Sequence, residues 1–447
     1  MAETIPLREV PCPKGSFTGD MQRDPLGLYE RLQREHGDVV AIKLLGGLLR
    51  MVVVASPEGV EQILSRNHAN YVKPGFFLSI VRPVFGAGVF TSEGEVWKRK
   101  RKLLAPAFHP ERLTGMAPAI VAAASEHAEG WARTPRDAPR NLLEELTELT
   151  LRVASRVFFG ADLEQHAGAF GEALREAFAC LGARLAGGVQ PPLWVPTRGN
   201  RRLRRARNTL RRLMREVLAA RRADGAPRDD LLGRLLQPGD EGLGDDELVD
   251  EMVTLLIAGH DTSAAALAWT LYLLATNPAA RDEVQAEVDA VARDRPPTAA
   301  DLPALRLTRQ AFEEALRLYP PAWGQPRQSL AEDAVGGFRL PARSLITTSQ
   351  WLVQRHPAHW PDPLRFDPHR FDPEQVATRH RFAYVPFGGG PRLCIGRQLA
   401  LLEAPLILAT LLGRFDFAHV GDAPVPDPTF TLRPRDPLRM TVTPRSA

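Results

Sequence analysis

One short stretch decides the fold of this chain: Phe387-Gly388-Gly389-Gly390-Pro391-Arg392-Leu393-Cys394-Ile395-Gly396-Arg397. Three consecutive glycines and a proline do not form the interior of a helix or a strand, so they predict a tight loop. Leucines follow at helical spacing: Leu399, Leu402, Leu406, Leu408 and Leu412. Cys394 is therefore expected where a helix begins. Backbone N–H groups and the helix dipole at such a position are expected to lower the pKa of the thiol.

A thiolate in this position is either a nucleophile or a metal ligand. A nucleophilic cysteine needs a neighbouring base, whereas this loop offers only Arg392 and Arg397. Arginines suit a large anionic cofactor, because a guanidinium binds a carboxylate through two parallel hydrogen bonds. A glycine-rich turn with an incidental buried cysteine is the plainer alternative. A phosphate-binding loop is disfavoured, because no Gly-Lys-Ser/Thr follows the glycines.

At every informative position the stretch resembles the haem-binding loop of the cytochrome P-450 monooxygenases. The resemblance implies that Cys394 is the axial ligand of the iron of haem b. It also implies that Phe387, Gly388, Arg392 and Gly396 contact the cofactor. The resemblance covers most of the chain, from about residue 39 to about residue 442.

A long apolar helix is expected from about Asp246 to Ala275. Its centre reads Ala-Gly-His-Asp-Thr at positions 258–262, and glycine inside a helix costs about 1 kcal/mol relative to alanine. A missing side chain allows a flat cofactor to lie against the backbone. Taken alone, the pattern fits a core helix with two solvent-facing polar residues.

Beside the cysteine loop, the same pattern resembles the oxygen-activating helix of the P-450 family. The resemblance implies that Asp261 and Thr262 deliver protons during oxygen activation. It implies that Ala258 and Gly259 contact the haem. His260 falls at a variable position of that motif and is assigned no role.

Glu314 and Arg317 lie three residues apart, which places an acid and a base on one face of a helix. Surface ion pairs of this kind are common, so the spacing alone is a weak signal. The order of the following segments resembles the Glu-Arg-Arg triad of the P-450 family, with Arg370 as its third member. The triad is expected to be structural, because it fixes the segment beneath the cysteine loop.

Trp97 and Arg101 lie four residues apart, on one face of a predicted helix. They resemble the P-450 residues that contact a haem propionate, and Arg327 and Arg392 match further propionate-binding positions. Each of these residues alone is equally compatible with a surface ion pair. Together with Cys394 they form a plausible set of donors for two carboxylates.

Residues 71–90 are rich in aromatic side chains and glycines, which predicts an apolar loop that lines or supports a pocket. The expected pocket residues in this loop are Phe76, Phe77 and Phe85. Ala322 and Trp323 are expected to contribute from elsewhere. By resemblance to the family, a turn near Phe430 completes the pocket.

Composition is ordinary for a globular chain of 447 residues: 44% hydrophobic and 25% charged residues, with a net charge of +4. This charge gives no indication of nucleic-acid binding. Three scattered cysteines predict a reducing compartment, and the N-terminus lacks the apolar run of a membrane anchor. We therefore expect a cytoplasmic, bacterial protein.

The expected architecture is mainly α with small β-sheets, in one P-450-fold domain over residues 1–447 with an extended segment over 1–22. Helices are expected over 25–36 and from about 94, and a β-hairpin over 39–54. An arginine-rich helix over 201–222 suggests an anion-binding or membrane-surface patch. A solvated helix face is the simpler explanation.

The resemblance implies a monooxygenase that inserts one oxygen atom from O2 into a lipophilic substrate, such as a fatty acid, terpenoid, carotenoid or macrocycle. Electrons from NAD(P)H would arrive through a ferredoxin or flavodoxin and its reductase, because the chain contains no flavin or iron–sulfur module. Lys98, Arg99 and Lys102 are candidates for that partner's docking face, and simple solvation explains them equally well. The alternatives are a peroxide-driven haem-thiolate peroxygenase and a non-catalytic haem-binding sensor or carrier.

Overall fold

Helices form most of the described chain, as the apolar periodicity predicted. The computed structural model describes residues 7–133, 138–160, 166–186, 191–226, 230–236 and 242–445. Within these ranges the α-helices are α1 (Thr18–Arg23), α2 (Pro25–His36), α3 (Pro57–Glu61), α4 (Gly75–Phe85), α5 (Gly94–Leu104), α6 (Pro110–Thr114), α7 (Ala117–Ala132), α8 (Leu142–Phe159), α9 (Ala167–Ala186), α10 (Arg198–Asp224), α11 (Leu231–Leu235), α12 (Asp245–Thr276), α13 (Pro278–Ala292), α14 (Arg306–Leu318), α15 (Gln350–Val353), α16 (Pro373–Thr378) and α17 (Arg397–Leu412).

The strands are short and form small sheets. They are β1 (Arg8–Glu9), β2 (Val39–Leu44), β3 (Leu49–Val54), β4 (Tyr71–Val72), β5 (Arg140–Asn141), β6 (Gln325–Ser329), β7 (Asp333–Val335), β8 (Phe338–Leu340), β9 (Leu345–Thr348), β10 (Phe415–His419), β11 (Pro426–Pro428), β12 (Leu432–Pro434) and β13 (Arg439–Pro444). The largest sheet has the order β2-β3-β9-β6-β4. Smaller sheets have the orders β1-β8-β7, β10-β13-β5 and β11-β12.

Helix α12 lies at the centre of the largest hydrophobic core and packs against α8, α10, α14 and β10. It is apolar around most of its circumference, which is typical of a helix surrounded by protein. Almost every side chain from Leu248 to Leu274 is buried, whereas Ala258 is exposed and Gly259 and Thr262 are partly exposed. Among the described residues, no helix is long and apolar enough to cross a membrane.

Several expected elements are confirmed. Helix α12 agrees with the predicted bounds to within one residue, and β2 and β3 form the predicted antiparallel hairpin, with Val39 opposite Val54. Helices α2 and α5 begin at or next to the expected positions. Helix α1 occupies the end of the predicted extended segment, and residues 1–6 lie outside the described ranges.

The expectation of a loop throughout residues 71–90 was wrong, because Gly75–Phe85 forms helix α4. The glycines and the proline of this stretch favoured a loop, yet the helix forms and contains Pro83. Burial of Val81, Val84 and Phe85 in the main core outweighs these local preferences.

A fully buried ion pair connects α14 to the irregular segment that follows α15. Arg317 donates two hydrogen bonds to Glu314, at 2.6 and 2.7 Å, and neither side chain is exposed. The same guanidinium donates to the carbonyl oxygens of Gln354, Pro363 and Arg365. Arginine suits this position because its fixed fork of N–H groups reaches several acceptors at once.

Arg370 approaches the same carboxylate, with its Nε 3.4 Å from Oε1 of Glu314. It also donates to the carbonyl oxygen of Asp362. The backbone N–H of Asp367 donates to Glu314 as well. The three triad residues are therefore close together, and their contacts are with backbone and with each other.

We predict that Arg317→Leu lowers the free energy of unfolding by about 3–5 kcal/mol, because it leaves the buried Glu314 carboxylate without its main partner. Arg306→Leu, on the same helix, removes an exposed contact with Asp372 and is expected to cost less than about 1 kcal/mol. Chemical denaturation of both variants measures the difference. Equal losses would contradict the structural role of the buried pair.

Candidate active site

The glycine-rich loop packs its backbone directly against the segment after α3. Gly388 and Gly390 have φ values of 73° and 62°, a conformation that side chains disfavour. A Cβ atom on Gly390 would lie 1.8 Å from the carbonyl oxygen of Leu64. The loop is closed by a hydrogen bond from the Cys394 N–H to the Phe387 carbonyl oxygen, at 3.0 Å. Only glycine fits this approach at position 390.

The Cys394 side chain reaches solvent, yet protein surrounds most of it. This desolvation raises the pKa of the Cys394 thiol, and it outweighs the N–H groups of Gly396 and Arg397 and the charge of Arg101, which lower that pKa. The expected net lowering of the thiol pKa was therefore wrong. The N–H groups at the start of α17 do bind the sulfur as the sequence indicated. They are suited to a sulfur that carries negative charge.

Gln354 connects the buried ion pair to the cysteine loop, and sequence reasoning did not identify it. Its side-chain amide donates to the carbonyl oxygens of Leu316 and Arg317 and accepts from the backbone N–H of Val385. Val385 in turn accepts the N–H of Gly388. Gln354 is completely buried, so these hydrogen bonds fix the loop relative to α14. A single glutamine in a loop gives no sequence signal for this role.

Two cations near the loop form no ion pair with a carboxylate in the part of the chain that the structure describes. Arg327 on β6 is buried, and its guanidinium donates only to Pro326 and Gln325. This burial lowers the pKa of Arg327 to about 10. Arg101 on α5 is partly buried and forms no ion pair with the described residues; burial lowers its pKa, and the charge of Cys394 opposes that effect. Buried guanidinium groups without a counter-ion suit an anionic ligand.

Arg392 is arranged differently from these two cations. It donates to the Ser92 carbonyl oxygen and to Glu93, at 2.9 and 2.6 Å, and its guanidinium stacks on the Trp97 ring at 3.8 Å. Lys73 also contacts Glu93, and burial lowers the pKa of Lys73 to about 8. The predicted propionate residues are thus close to one another, but Arg392 is already paired with a carboxylate.

The donor set fits haem. A sulfur that accepts backbone N–H groups suits an axial iron ligand. Arg101 and Arg327, which form no ion pair within the described ranges, suit propionates. On α12, Ala258 and Thr262 form an exposed strip in an otherwise buried helix, as expected for a surface that faces a ligand. Gly259 allows α8 to pack closely against α12, because a Cβ atom at this position would lie 2.8 Å from the Phe158 ring of α8.

Consecutive polar residues of α12 point to different neighbours. Asp261 is buried and accepts a hydrogen bond from the Thr431 hydroxyl at 2.6 Å. The Thr262 hydroxyl donates to the Ala258 carbonyl oxygen at 2.8 Å, which orients it within the helix. Thr431 lies 170 positions after Asp261, so the sequence gave no signal for their contact.

Four aromatic rings from separate parts of the chain meet beside α12. Phe430 lies 5.4 Å from Phe85, 6.4 Å from Phe90 and 5.5 Å from Phe178, between ring centroids. The ring of Phe77 packs 6.4 Å from that of Phe90. Thus Phe77, Phe85 and Phe430, predicted for the pocket, lie in one cluster, which Phe178 joins without a sequence signal.

The other predicted pocket residues do not belong to this aromatic cluster. Phe76 on α4 is 48% exposed and has no ring partner among the described residues. Trp323 packs against Tyr29 in a separate hydrophobic cluster, with ring centroids 5.9 Å apart. Ala322 is partly exposed. Phe76, Ala322 and Trp323 thus lie outside the aromatic cluster of Phe77, Phe85, Phe90, Phe178 and Phe430, and their contribution to a pocket stays a prediction.

Comparison with known proteins decides the family. The family model for cytochrome P450 matches residues 16–442. The chain belongs to the cytochrome P450 family. It is therefore a P450 monooxygenase of mainly α fold with small sheets, as expected, and the family uses haem b with electrons that come from NAD(P)H through partner proteins.

Named relatives and a solved structure agree with this assignment. The P450 is 35% identical to cyclooctatin synthase of Streptomyces melanosporofaciens, over 95% of this chain and 92% of the relative. It is 33% identical to pentalenene oxygenase of Streptomyces avermitilis, over 91% and 89% of the two chains. The crystal structure of the cytochrome P450DA heme domain superposes with a TM-score of 0.88, at 26% identity and 98% coverage of both chains.

We predict that Gly390→Ala reduces haem incorporation, because the added methyl group displaces the cysteine loop from Leu64. Gly46→Ala is the matched control: Gly46 has a similar φ of 66°, but nothing lies within 4 Å of its Cβ position. Haem absorbance per protein, measured after identical expression, compares the two. Similar haem content in both variants would contradict the close approach at Gly390.

Glu403 on α17 is buried and accepts a hydrogen bond from Ser263 of α12 at 2.5 Å. Burial raises the pKa of Glu403 from 4.5 to about 7. The folded state therefore binds a proton that the unfolded state releases between these two values. We predict that the free energy of unfolding falls by up to about 3 kcal/mol as the pH rises from 4.5 to 7.

Glu403→Gln should remove that part of the pH dependence, because glutamine still accepts from Ser263 but does not titrate. Exposed Glu129 provides the control, as Glu129→Gln. Denaturation curves at several pH values measure the slope. An unchanged slope in Glu403→Gln would show that Glu403 ionises as easily in the folded protein as in the unfolded chain.

Proposed function

We propose that this P450 inserts one oxygen atom from O2 into a C–H or C=C bond of a terpenoid. The observation that carries the proposal is the aromatic cluster beside the exposed strip of α12, which suits a rigid hydrocarbon without hydrogen-bonding groups. Relatives named cyclooctat-9-en-7-ol 5-monooxygenase and pentalenene oxygenase, 35% and 33% identical, support this class of substrate.

In this proposal the side chains of the candidate active site bind the cofactor and the substrate, and they deliver protons. The haem supplies oxygen activation and two-electron oxidation chemistry when it is bound. Cys394 would hold the iron, Arg101 and Arg327 would bind the propionates, and α12 would present Ala258 at the cofactor's face. Asp261 and Thr262 would deliver protons, with the Asp261 carboxylate oriented by its bond from Thr431 and the Thr262 hydroxyl by its bond to Ala258.

We propose a ferredoxin or flavodoxin as the electron donor, in the cytoplasm. The exposed face of α5 carries Val96, Lys98 and Lys102 beside the partly exposed Arg99. Such a basic face with an apolar centre suits an acidic partner. Lys98 and Arg99 already contact Glu95 and Glu247, so the partner would compete with these bonds. The three free cysteines are consistent with a reducing compartment.

The function is tested with pentalenene, cyclooctat-9-en-7-ol and lauric acid as probes. We expect NADH, a surrogate ferredoxin and its reductase to support oxygenation of a terpenoid probe, with one oxygen atom from labelled O2. Product with hydrogen peroxide alone, and none with O2, would favour the peroxygenase instead. Binding of the probes without product under either condition would favour a carrier.

The aromatic cluster makes a second prediction. Phe430→Ala is expected to weaken binding of a terpenoid probe about tenfold, because it removes contacts with the rings of Phe85, Phe90 and Phe178. Phe338→Ala, in another hydrophobic cluster, is the control. Titration of the spin-state change of the haem measures the affinity. Equal affinities in the two variants would exclude Phe430 from the pocket.

A further inference from the structure

The segment of residues 86–93 joins α4 to α5 without forming a helix or a strand. Phe85 directly precedes it and Phe90 belongs to it, and their rings lie 5.0 Å apart in the aromatic cluster. The N–H and C=O groups of an irregular segment lack the partners that a helix or a sheet provides. In this protein, side chains of α12 and α5 supply several of these partners.

Two neighbouring carboxylates of α12 accept backbone N–H groups from the 86–93 segment. The Ala87 N–H donates to Asp250 at 2.8 Å, and the Val89 N–H donates to Glu251 at 2.9 Å. Both carboxylates are buried. Hydrogen bonds to an ionised acceptor are stronger than those between neutral groups, and burial keeps water from competing for them.

Each of these carboxylates also pairs with a cation from another helix. The buried Lys100 of α5 lies 3.1 Å from Glu251, and its ammonium group donates to the Ala87 carbonyl oxygen at 2.8 Å. Arg211 of the arginine-rich helix α10 pairs with Asp250. Buried charges are costly unless they are paired, and these pairs therefore allow α12 to keep two carboxylates against the segment.

The next turn of α12 adds a third contact, because the Thr254 hydroxyl donates to the Phe85 carbonyl oxygen at 3.0 Å. Glycines allow the backbone to approach this closely. A Cβ atom on Gly86 would lie 2.2 Å from the Asp250 carboxylate. A Cβ atom on Gly88 would lie 2.1 Å from the Thr254 hydroxyl oxygen. Two glycines of this stretch are thus explained by its contact with α12.

We propose that Asp250, Glu251 and Thr254 are positioning residues that determine substrate specificity, because they fix Phe85 and Phe90 in the aromatic cluster. They act through the backbone of the 86–93 segment and do not belong to the cluster themselves. Rings held in place favour a rigid polycyclic hydrocarbon, whereas a flexible chain adapts to displaced rings. This role rests on the proposed function, because it takes the aromatic cluster to be the substrate pocket.

The test compares Thr254→Val, which keeps the shape but removes the donor, with Thr254→Ser, which keeps the donor. Titration of the spin-state change of the haem measures affinity for pentalenene and for lauric acid. We expect Thr254→Val to weaken binding of pentalenene about fivefold, the effect of one lost hydrogen bond, and that of lauric acid less than about twofold. Thr254→Ser should bind pentalenene nearly as tightly as the wild type.

Thr270→Val is the matched control. Thr270 is a buried threonine of the same helix, but its hydroxyl donates to the Ala266 carbonyl oxygen of α12 itself, at 2.7 Å. This variant loses a comparable hydrogen bond without touching the 86–93 segment. The ratio of its affinities for the two probes should therefore equal that of the wild type.

A second measurement examines the contact without any substrate. Hydrogen exchange of the peptide that contains residues 86–93, followed by mass spectrometry of the holoenzyme, should be about tenfold faster in Thr254→Val. Thr270→Val should exchange in this peptide at the wild-type rate. Because no probe is present, this result does not depend on which substrate the protein accepts.

Three results would overturn the proposal. Unchanged exchange in Thr254→Val would show that α12 does not hold the segment. Faster exchange with an unchanged ratio of affinities would show that the segment does not determine specificity. Equal changes of the ratio in Thr254→Val and Thr270→Val would indicate a general loss of stability. A wild type that binds lauric acid but no terpenoid would instead contradict the proposed function, and the exchange rates would still decide whether α12 holds the segment.

Discussion

The buried guanidinium of Arg317 is the interaction on which the position of the cysteine loop depends. The segment after α15 has little regular structure, so its carbonyl oxygens lack the partners that a helix or sheet provides. Arg317 supplies them at Gln354, Pro363 and Arg365 while Glu314 neutralises its charge. Through Gln354 this arrangement reaches Val385 and the start of the loop that carries Cys394. The buried guanidinium therefore donates the hydrogen bonds that these carbonyl groups would receive from backbone N–H groups in a helix or a sheet.

Helix α12 also carries buried polar side chains that need hydrogen-bond partners. It is buried along most of its length, yet it carries hydroxyl and carboxyl groups near its centre. Each has a separate partner: Asp261 binds Thr431, Ser263 binds Glu403 of α17, and Thr262 binds its own helix. The helix is thereby connected both to the Phe430 side of the aromatic cluster and to the helix that follows the cysteine. Thr262, which belongs to the exposed strip, lies between these two connections in sequence.

Local chemistry explains what the sequence could predict. The glycines at 388 and 390 and the thiol at 394 predicted the loop, and the continuous apolar residues predicted α12. Both elements are determined mainly by residues that are neighbours in the chain. The partners of Asp261 and Arg317 depended on tertiary structure: Thr431 and Gln354 are ordinary polar residues far away in sequence. The thiol pKa was misjudged for the same reason, since desolvation by distant segments outweighs local N–H groups. Helix α4 formed where tertiary burial outweighed its proline and glycine.

The central claim is that the Cys394 sulfur is the axial ligand of haem iron. The most direct measurement is the absorption spectrum of the purified protein, reduced and exposed to carbon monoxide, for the wild type and for Cys394→Ala. The wild type should show the strongly red-shifted Soret band of a thiolate-ligated haem carbonyl, and the variant should lose it. A wild-type band at the position typical of histidine ligation, or a red-shifted band that persists in Cys394→Ala, would contradict the account.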